Sequence, residues 1–168
     1  ASPSTSATRS WSVHDASELY EVARWGNGYF SVNDSGHMQV HPTKDPARAI
    51  DLKELVDRLQ LRGISLPVLI RFTDILKHRL GDIHAAFHNA ITQHQYQGGY
   101  SCVYPIKVNQ QRQVVEEVLN FGRPYRFGLE AGSKPELLAV IAIADNDTPI
   151  ICNGFKDAEF FEAALGSE

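Results

Sequence analysis

Lys107 is the residue whose type and position most directly suggest chemistry. It follows the apolar segment Val103-Tyr-Pro-Ile, which is typical of a β-strand, and ligands of parallel α/β folds bind where such strands end. Residues of equal parity share one face of a strand, so we expect Lys107 to point to the same side as Val103 and Pro105. Its neighbours Ile106 and Val108 predict partial desolvation, which suits a lysine that forms a Schiff base. The alternative is a strand-end lysine that only reaches water.

A second candidate group follows the next predicted strand. Glu130 ends that strand, so its carboxylate is expected at the same edge of the sheet as Lys107. Ser133 and Glu136 have the spacing of a capping box, and Gly132 allows the backbone to approach a ligand closely. The alternative interpretation is an efficient helix start without a ligand.

Asn153 and a histidine pair are weaker candidates. Asn153 ends a third predicted strand, where it is either a pocket residue or an ordinary turn residue. His84 and His88 have the i,i+4 spacing of two zinc ligands, but Ala85 stands where the zinc-protease motif has glutamate. A solvated helix face is therefore predicted for the histidines.

The predicted secondary structure that positions these residues differs before and after residue 67. Upstream, the pattern predicts a helix, a β-hairpin and a second helix, at residues 12–25, 29–41 and 52–61. Downstream, apolar strands alternate with amphipathic helices, with strands at 67–72, 100–106, 125–129 and 149–152 and helices at 75–95, 110–120, 134–144 and 157–165. This alternation predicts an α/β fold with a parallel sheet, either a β/α barrel or an open doubly wound sheet.

The composition restricts the possible partners. The chain of 168 residues has a formal net charge of −4, which argues against nucleic acid or an anionic membrane as the main partner. No apolar stretch reaches membrane-spanning length. Cys102 and Cys152 lie in apolar runs and are expected to be packing thiols in a cytoplasmic setting. The Ser/Thr-rich start also resembles the remnant of an organelle transit peptide, which would indicate the chloroplast in a plant.

Three segments resemble consecutive signatures of biosynthetic arginine decarboxylases. They are Tyr104-Pro-Ile-Lys-Val-Asn-Gln-Gln, Phe127-Gly-Leu-Glu-Ala-Gly-Ser-Lys-Pro-Glu-Leu and Ile151-Cys-Asn-Gly-Phe-Lys-Asp. The likeness continues upstream and covers residues 11–164 in order and spacing. A generic member of the alanine-racemase-like class would share only a lysine and an asparagine separated by one residue, so these longer motifs are specific.

The resemblance implies a homo-oligomeric enzyme that depends on pyridoxal phosphate, requires magnesium and has a TIM-type β/α barrel beside a β-rich domain. The implied reaction converts L-arginine to agmatine and CO₂ for polyamine and spermidine biosynthesis. By motif position, Lys107 is implied to carry the cofactor, with Glu130 and Ser133 lining its site. Asn109 and Asn153 are implied to belong to the pocket wall.

The same resemblance divides the chain into three parts. These are a disordered tail (1–10), a segment of the β-rich domain (11–66) and the first part of the barrel (67–168). Three βα units cannot close an eight-stranded barrel, so we expect an N-terminal portion that is inactive alone and pairs with a complementary C-terminal chain or further copies. The family's phosphate cradle and its arginine-reading acids lie further along the polypeptide. The alternative is a catalytically silent fragment or paralogue that acts as a subunit-interaction module.

Overall fold

A computed structural model describes residues 9–166, so most of the predicted tail, residues 1–8, lies outside the described part of the chain. The chain divides into two compact units, one up to Ile75 and one from Leu76 onward. The sequence placed a boundary earlier, between residues 66 and 67.

The first unit begins with two short helices, α1 (Val13–Leu19) and α2 (Val22–Gly26). One continuous helix over residues 12–25 was predicted, and this prediction is wrong. Glu21 adopts a left-handed conformation with φ of 49°, which interrupts the helical path between them. Ser12 begins α1 with a capping box, so the predicted start of the helix is sound.

A small antiparallel sheet follows α2. Its strands, in spatial order, are β1 (Phe30–Val32), β2 (Met38–Val40) and β3 (Ile50–Asp51). The pairing of β1 with β2 confirms the predicted hairpin. The sequence did not predict β3, because two residues are too few to show strand alternation.

Asp51 ties the hairpin to the next helix, α3 (Leu52–Leu61), whose predicted bounds are confirmed. Its carboxylate accepts a hydrogen bond from the backbone N–H of Glu54 at 3.1 Å. It also lies 2.9 Å from the side-chain nitrogens of Asn33 and His37. The bond from Glu54 is the main cause that lowers the pKa of Asp51, with His37 and Asn33 acting in the same direction. One carboxylate therefore fixes both the hairpin turn and the helix start.

Residues 67–72 form no strand, so the strand predicted there is wrong. A strand is stabilised by hydrogen bonds to a neighbouring strand, and within residues 9–166 no strand pairs with this segment. Its apolar side chains remain in contact with solvent, and Leu69 is 74% exposed.

The second unit contains most of a long helix and then three βα units. The elements are α4 (Thr73–Gln93), β4 (Val103–Pro105), α5 (Arg112–Gly122), β5 (Gly128–Ala131), α6 (Lys134–Ile141), β6 (Ile150–Cys152) and α7 (Ala158–Leu165). The strands pair in parallel in the order β4-β5-β6. The predicted parallel βα alternation is confirmed, and the three-stranded sheet is open rather than closed.

The three helices that follow the strands, namely the crossover helices α5 and α6 and the last helix α7, pack against the same face of this sheet. Leu129, at the centre of β5, is fully buried, and its core cluster includes side chains of each helix: Val115 and Leu119 of α5, Leu137 and Val140 of α6, and Phe160 of α7. Side chains alternate along a strand, so Glu130 and its register partners point to the other face. Ile151 on that face is 49% exposed. The sheet therefore has one covered face and one open face.

The histidine pair lies on α4 and takes part in ring contacts. The His84 ring stacks on Tyr125 with centroids 4.4 Å apart, and the His88 ring lies 5.9 Å from that of His84. No helix in the described part of the chain is both long and apolar enough to cross a membrane.

Candidate functional site

The candidate residues gather at the carboxyl edge of the parallel sheet. Pro105, Glu130 and Ile151 are partners in the strand register. Lys107 follows Pro105 by two residues along the chain, and Asn153 follows Ile151 by two residues. The register therefore brings Lys107, Glu130 and Asn153 to one edge, in this order across three adjacent strands.

Lys107 lies on a 3₁₀ turn, Ile106–Val108, that directly follows β4. Ile106 is 2% exposed and belongs to the core, whereas Lys107 is exposed and Val108 is 67% exposed. The expected strand alternation does not reach Lys107, because the strand ends at Pro105. The expected partial desolvation is also wrong within the described residues. Across residues 9–166, no hydrogen bond or ion pair engages the Lys107 amine.

Asn109 closes the turn that carries Lys107. Its backbone N–H donates to the carbonyl of Ile106 at 3.1 Å, and its side-chain oxygen accepts from the N–H of Gln111 at 3.1 Å. Its own carbonyl accepts a hydrogen bond from the Tyr104 hydroxyl, also at 3.1 Å. The turn thus holds both the backbone and the side-chain oxygen of Asn109. The hydrogen bond from Tyr104, which lies five residues earlier, was not predicted from the sequence.

Glu130 and Asn153 are in direct contact. The side-chain amide of Asn153 donates to a Glu130 carboxylate oxygen at 3.3 Å, and the Asn153 side-chain oxygen accepts from the N–H of Gly154 at 2.8 Å. Asn153 therefore acts both as a turn residue and as a partner of Glu130. The contact fixes one side of the carboxylate at the end of the open face.

Ser133 begins α6 and accepts a hydrogen bond from the N–H of Glu136 at 3.4 Å. The Glu136 carboxylate accepts a hydrogen bond from the N–H of Gly132 at 2.6 Å. A capping box would have this bond at the N–H of Ser133, so the predicted second bond of the box is displaced by one residue. The other Glu136 oxygen accepts from the Gln110 side chain at 3.3 Å. Glu136 therefore links the loop after Lys107 to the loop after Glu130, a role that sequence spacing did not reveal.

A cationic bridge joins the starts of the last two helices. Lys134 lies 2.7 Å from Asp157 and 2.7 Å from Glu159. Hydrogen bonds to Asp157 first, and then to Glu159, raise the pKa of Lys134 to about 12. The same bond to Lys134 is the largest cause that lowers the pKa of Asp157. The charges of Lys134, Asp157 and Glu159 are therefore paired, whereas no residue in the described part of the chain pairs with the amine of Lys107.

Two clefts of about 270 Å³ border the parallel sheet, and one of them lies between α5 and α6 and is lined in part by Ile106 and Gln110, next to Lys107. The other lies at the amino ends of β5 and β6, where Arg123 and Asp145 form an ion pair at 2.8 Å. Within residues 9–166, no group of three or more His, Cys, Asp or Glu side chains is arranged to hold a metal ion. The carboxyl edge is an open platform in the described part of the chain.

An open set of parallel βα units defines a protein of the α/β class, and here an exposed lysine, a carboxylate and an amide lie at the strand ends. In open α/β sheets in general, ligands bind at the carboxyl ends of the strands. No model of a known protein family matches the chain. The chain is 54% identical over 155 residues to the biosynthetic arginine decarboxylase of Rhodopirellula baltica, an alignment that covers 92% of the chain and 23% of that protein.

Other similar proteins have the same name. The biosynthetic arginine decarboxylase of Gloeobacter violaceus is 53% identical over 158 residues, covering 92% of the chain and 24% of that protein. The crystal structure of the biosynthetic arginine decarboxylase SpeA from Campylobacter jejuni matches with a TM-score of 0.75 and 34% identity, covering 89% of the chain and 25% of that structure. The resemblance to the N-terminal portion of biosynthetic arginine decarboxylases is thus confirmed. The chain spans about a quarter of the length of these relatives.

Proposed function

We propose that the protein is an arginine decarboxylase that converts L-arginine to agmatine and CO₂ in polyamine biosynthesis, with Lys107 as the residue that holds pyridoxal phosphate. The observation that carries the proposal is identity of about one half, over more than nine tenths of the chain, to proteins named biosynthetic arginine decarboxylase. The signature that contains Lys107 lies inside the aligned region.

The geometry around Lys107 fits the cofactor anchor. An amine reacts with an aldehyde when it is accessible and not committed to an ion pair, and Lys107 meets both conditions among the described residues. A bound pyridoxal phosphate supplies an electron sink that stabilises the negative charge left on the α-carbon as CO₂ departs. Lys107 would hold its aldehyde through Nζ.

The other residues at the edge have supporting roles in this proposal. The Glu130 carboxylate provides negative charge at the end of the open face, held by the Asn153 amide at 3.3 Å. Ser133 and Asn109 keep the adjoining loops in place through backbone contacts. Lys107 Nζ can also give or take a proton beside the reacting carbon.

The proposal includes the TIM-type barrel. Purely parallel sheets occur almost only where both faces are covered, yet the face with Glu130 and Ile151 is open within residues 9–166. Further strands of a barrel would cover that face and enclose the edge with Lys107. They would come from the remaining three quarters of the relatives' length or from a complementary chain. We also propose homo-oligomer formation and dependence on magnesium, whose ligands would come from outside the described residues.

A second candidate function is a catalytically silent module that binds other subunits. The uncovered apolar face and the exposed segment 67–72 favour it, because such surfaces are typical of interaction sites. The two candidates differ in whether Lys107 carries cofactor and in whether CO₂ is released.

The deciding experiment is to incubate the protein with pyridoxal phosphate and ¹⁴C-carboxyl arginine, reduce with borohydride and map the modified peptide. The enzyme proposal expects a label on Lys107 and release of ¹⁴CO₂, at least when the remaining three quarters of the Gloeobacter violaceus relative is co-expressed. Lys107→Ala should abolish both, whereas Lys53→Ala, a change at an exposed lysine of α3, should alter neither. A folded sample without label on Lys107, in the presence of the complementing chain, would refute the cofactor assignment.

A further inference from the structure

The turn that presents Lys107 is held at three points. Ile106 inserts into the core, the N–H of Asn109 donates to the carbonyl of Ile106, and the Tyr104 hydroxyl donates to the carbonyl of Asn109. The first contact fixes where the turn begins, and the second closes the turn at Asn109. The third also holds the end of the turn, because it ties the residue after Val108 back to the strand before the turn.

Tyr104 is well placed to act as a fixed reference. It occupies β4, its register partner is Leu129, the fully buried centre of β5, and its ring packs against the same core cluster. A donor on this side chain moves with the core rather than with the exposed loop. Lys107 itself lies between a core residue and an exposed one, and no polar contact with the described residues holds its amine. The direction in which the amine leaves the sheet therefore depends on the backbone of the turn.

We infer that Tyr104 is the positioning residue for Lys107, through the hydrogen bond of its hydroxyl to the Asn109 carbonyl. The inference rests on the proposed function, in which the Lys107 amine reacts with an aldehyde. Tyr104 does not touch the reacting atoms. It narrows the range of backbone conformations from which the amine can reach the site, so that the amine is presented in one direction.

Tyr104→Phe tests the inference, because it keeps the ring in the core and removes only the hydroxyl. One neutral hydrogen bond corresponds to roughly a 2- to 12-fold change in an equilibrium. We expect Lys107 to react with pyridoxal phosphate about that much more slowly, measured on the full chain by borohydride trapping and peptide mapping. Hydrogen exchange at the Asn109 amide should accelerate by a similar factor, since the turn opens more often.

Tyr100→Phe is the matched control. It removes a hydroxyl before the amino end of the same strand, where the Tyr100 ring stacks on Phe87 with centroids 3.8 Å apart. This variant should label Lys107 at the original rate. Since a purely structural effect lowers thermal stability without a selective change at Lys107, the ratio of Lys107 labelling to labelling of Lys53 on α3 is the decisive readout.

The outcomes separate the two claims. If Tyr104→Phe labels Lys107 as fast as the unchanged protein, or if both variants slow it equally, the positioning role is refuted. If the unchanged protein acquires no label at Lys107, the proposed function fails first. A slower reaction confined to Tyr104→Phe, together with faster exchange at Asn109, supports the inference.

Discussion

Replacement of Gly154 by alanine should destabilise the second unit, because the position combines two restrictions. Gly154 has φ of +78°, and a methyl group there would lie 2.4 Å from the carbonyl oxygen of Gly132 in the neighbouring loop. The left-handed conformation costs a non-glycine residue about 1–2 kcal/mol. Relief of the contact requires a backbone shift, at a further cost of about 1–3 kcal/mol. We therefore expect a loss of about 2–5 kcal/mol.

The assay is urea unfolding followed by far-UV circular dichroism. At a slope of about 2 kcal/mol/M, the midpoint should fall by roughly 1–2.5 M. Gly99→Ala is the control, since its methyl group would meet no atom within 4 Å and its φ is not in the left-handed range. Gly63→Ala isolates the conformational part, because φ there is +81° and no atom lies within 4 Å. Equal midpoints for Gly154→Ala and Gly99→Ala would refute the reasoning.

Three other predictions concern stability. Asp51→Asn should lower the free energy of unfolding at neutral pH. Because the folded-state pKa of Asp51 lies below its ordinary 3.8, the stabilisation by its carboxylate is present above pH 3.8 and is lost as the pH falls through the folded-state pKa. A difference in urea midpoints that stays constant into strong acid would contradict this. Lys134→Met should destabilise below about pH 10.5, and the effect should fade as the pH rises through about 12, the raised pKa of Lys134; persistence of the full difference beyond that range would exclude the ion-pair explanation. Leu129→Ala should cost about 2–5 kcal/mol by urea unfolding, against about 0.5 kcal/mol or less for Leu138→Ala at an exposed position of α6, and similar losses for both would be inconsistent with the core described.

Helices and strands were predicted well from the sequence where residues typical of their ends agree with the spacing of apolar residues. The bounds of α3 were predicted correctly, because its apolar side chains recur at helical spacing and Gly63 follows its end; the structure adds Asp51 as the N-cap. The strand at residues 67–72 was wrong because apolar composition alone does not supply a hydrogen-bonding neighbour. The break at Glu21 was missed because no local residue type signals a left-handed glutamate.

The arrangement of the site was only partly accessible from the sequence. Strand-end spacing placed Lys107, Glu130 and Asn153 at one edge, since parallel strands align their carboxyl ends. The direction of Lys107 could not be deduced, because it depends on a 3₁₀ turn that replaces strand alternation. The bonds from Glu136 to Gln110 and to Gly132 depend on how neighbouring loops meet, which spacing along one chain does not encode.

The one-sided packing of the helices has a consequence for folding during synthesis. Register partners in the parallel sheet are only about 20–25 residues apart, so each strand can pair soon after it leaves the ribosome, at a small loop-closure cost. Within the described residues, the other face stays uncovered after the three strands have paired. A carboxylate near the carboxyl end of the central strand on such a face disfavours mistaken pairing with another nascent chain, as gatekeeper charges do. Glu130 would in this way protect the growing polypeptide before any ligand reaches it.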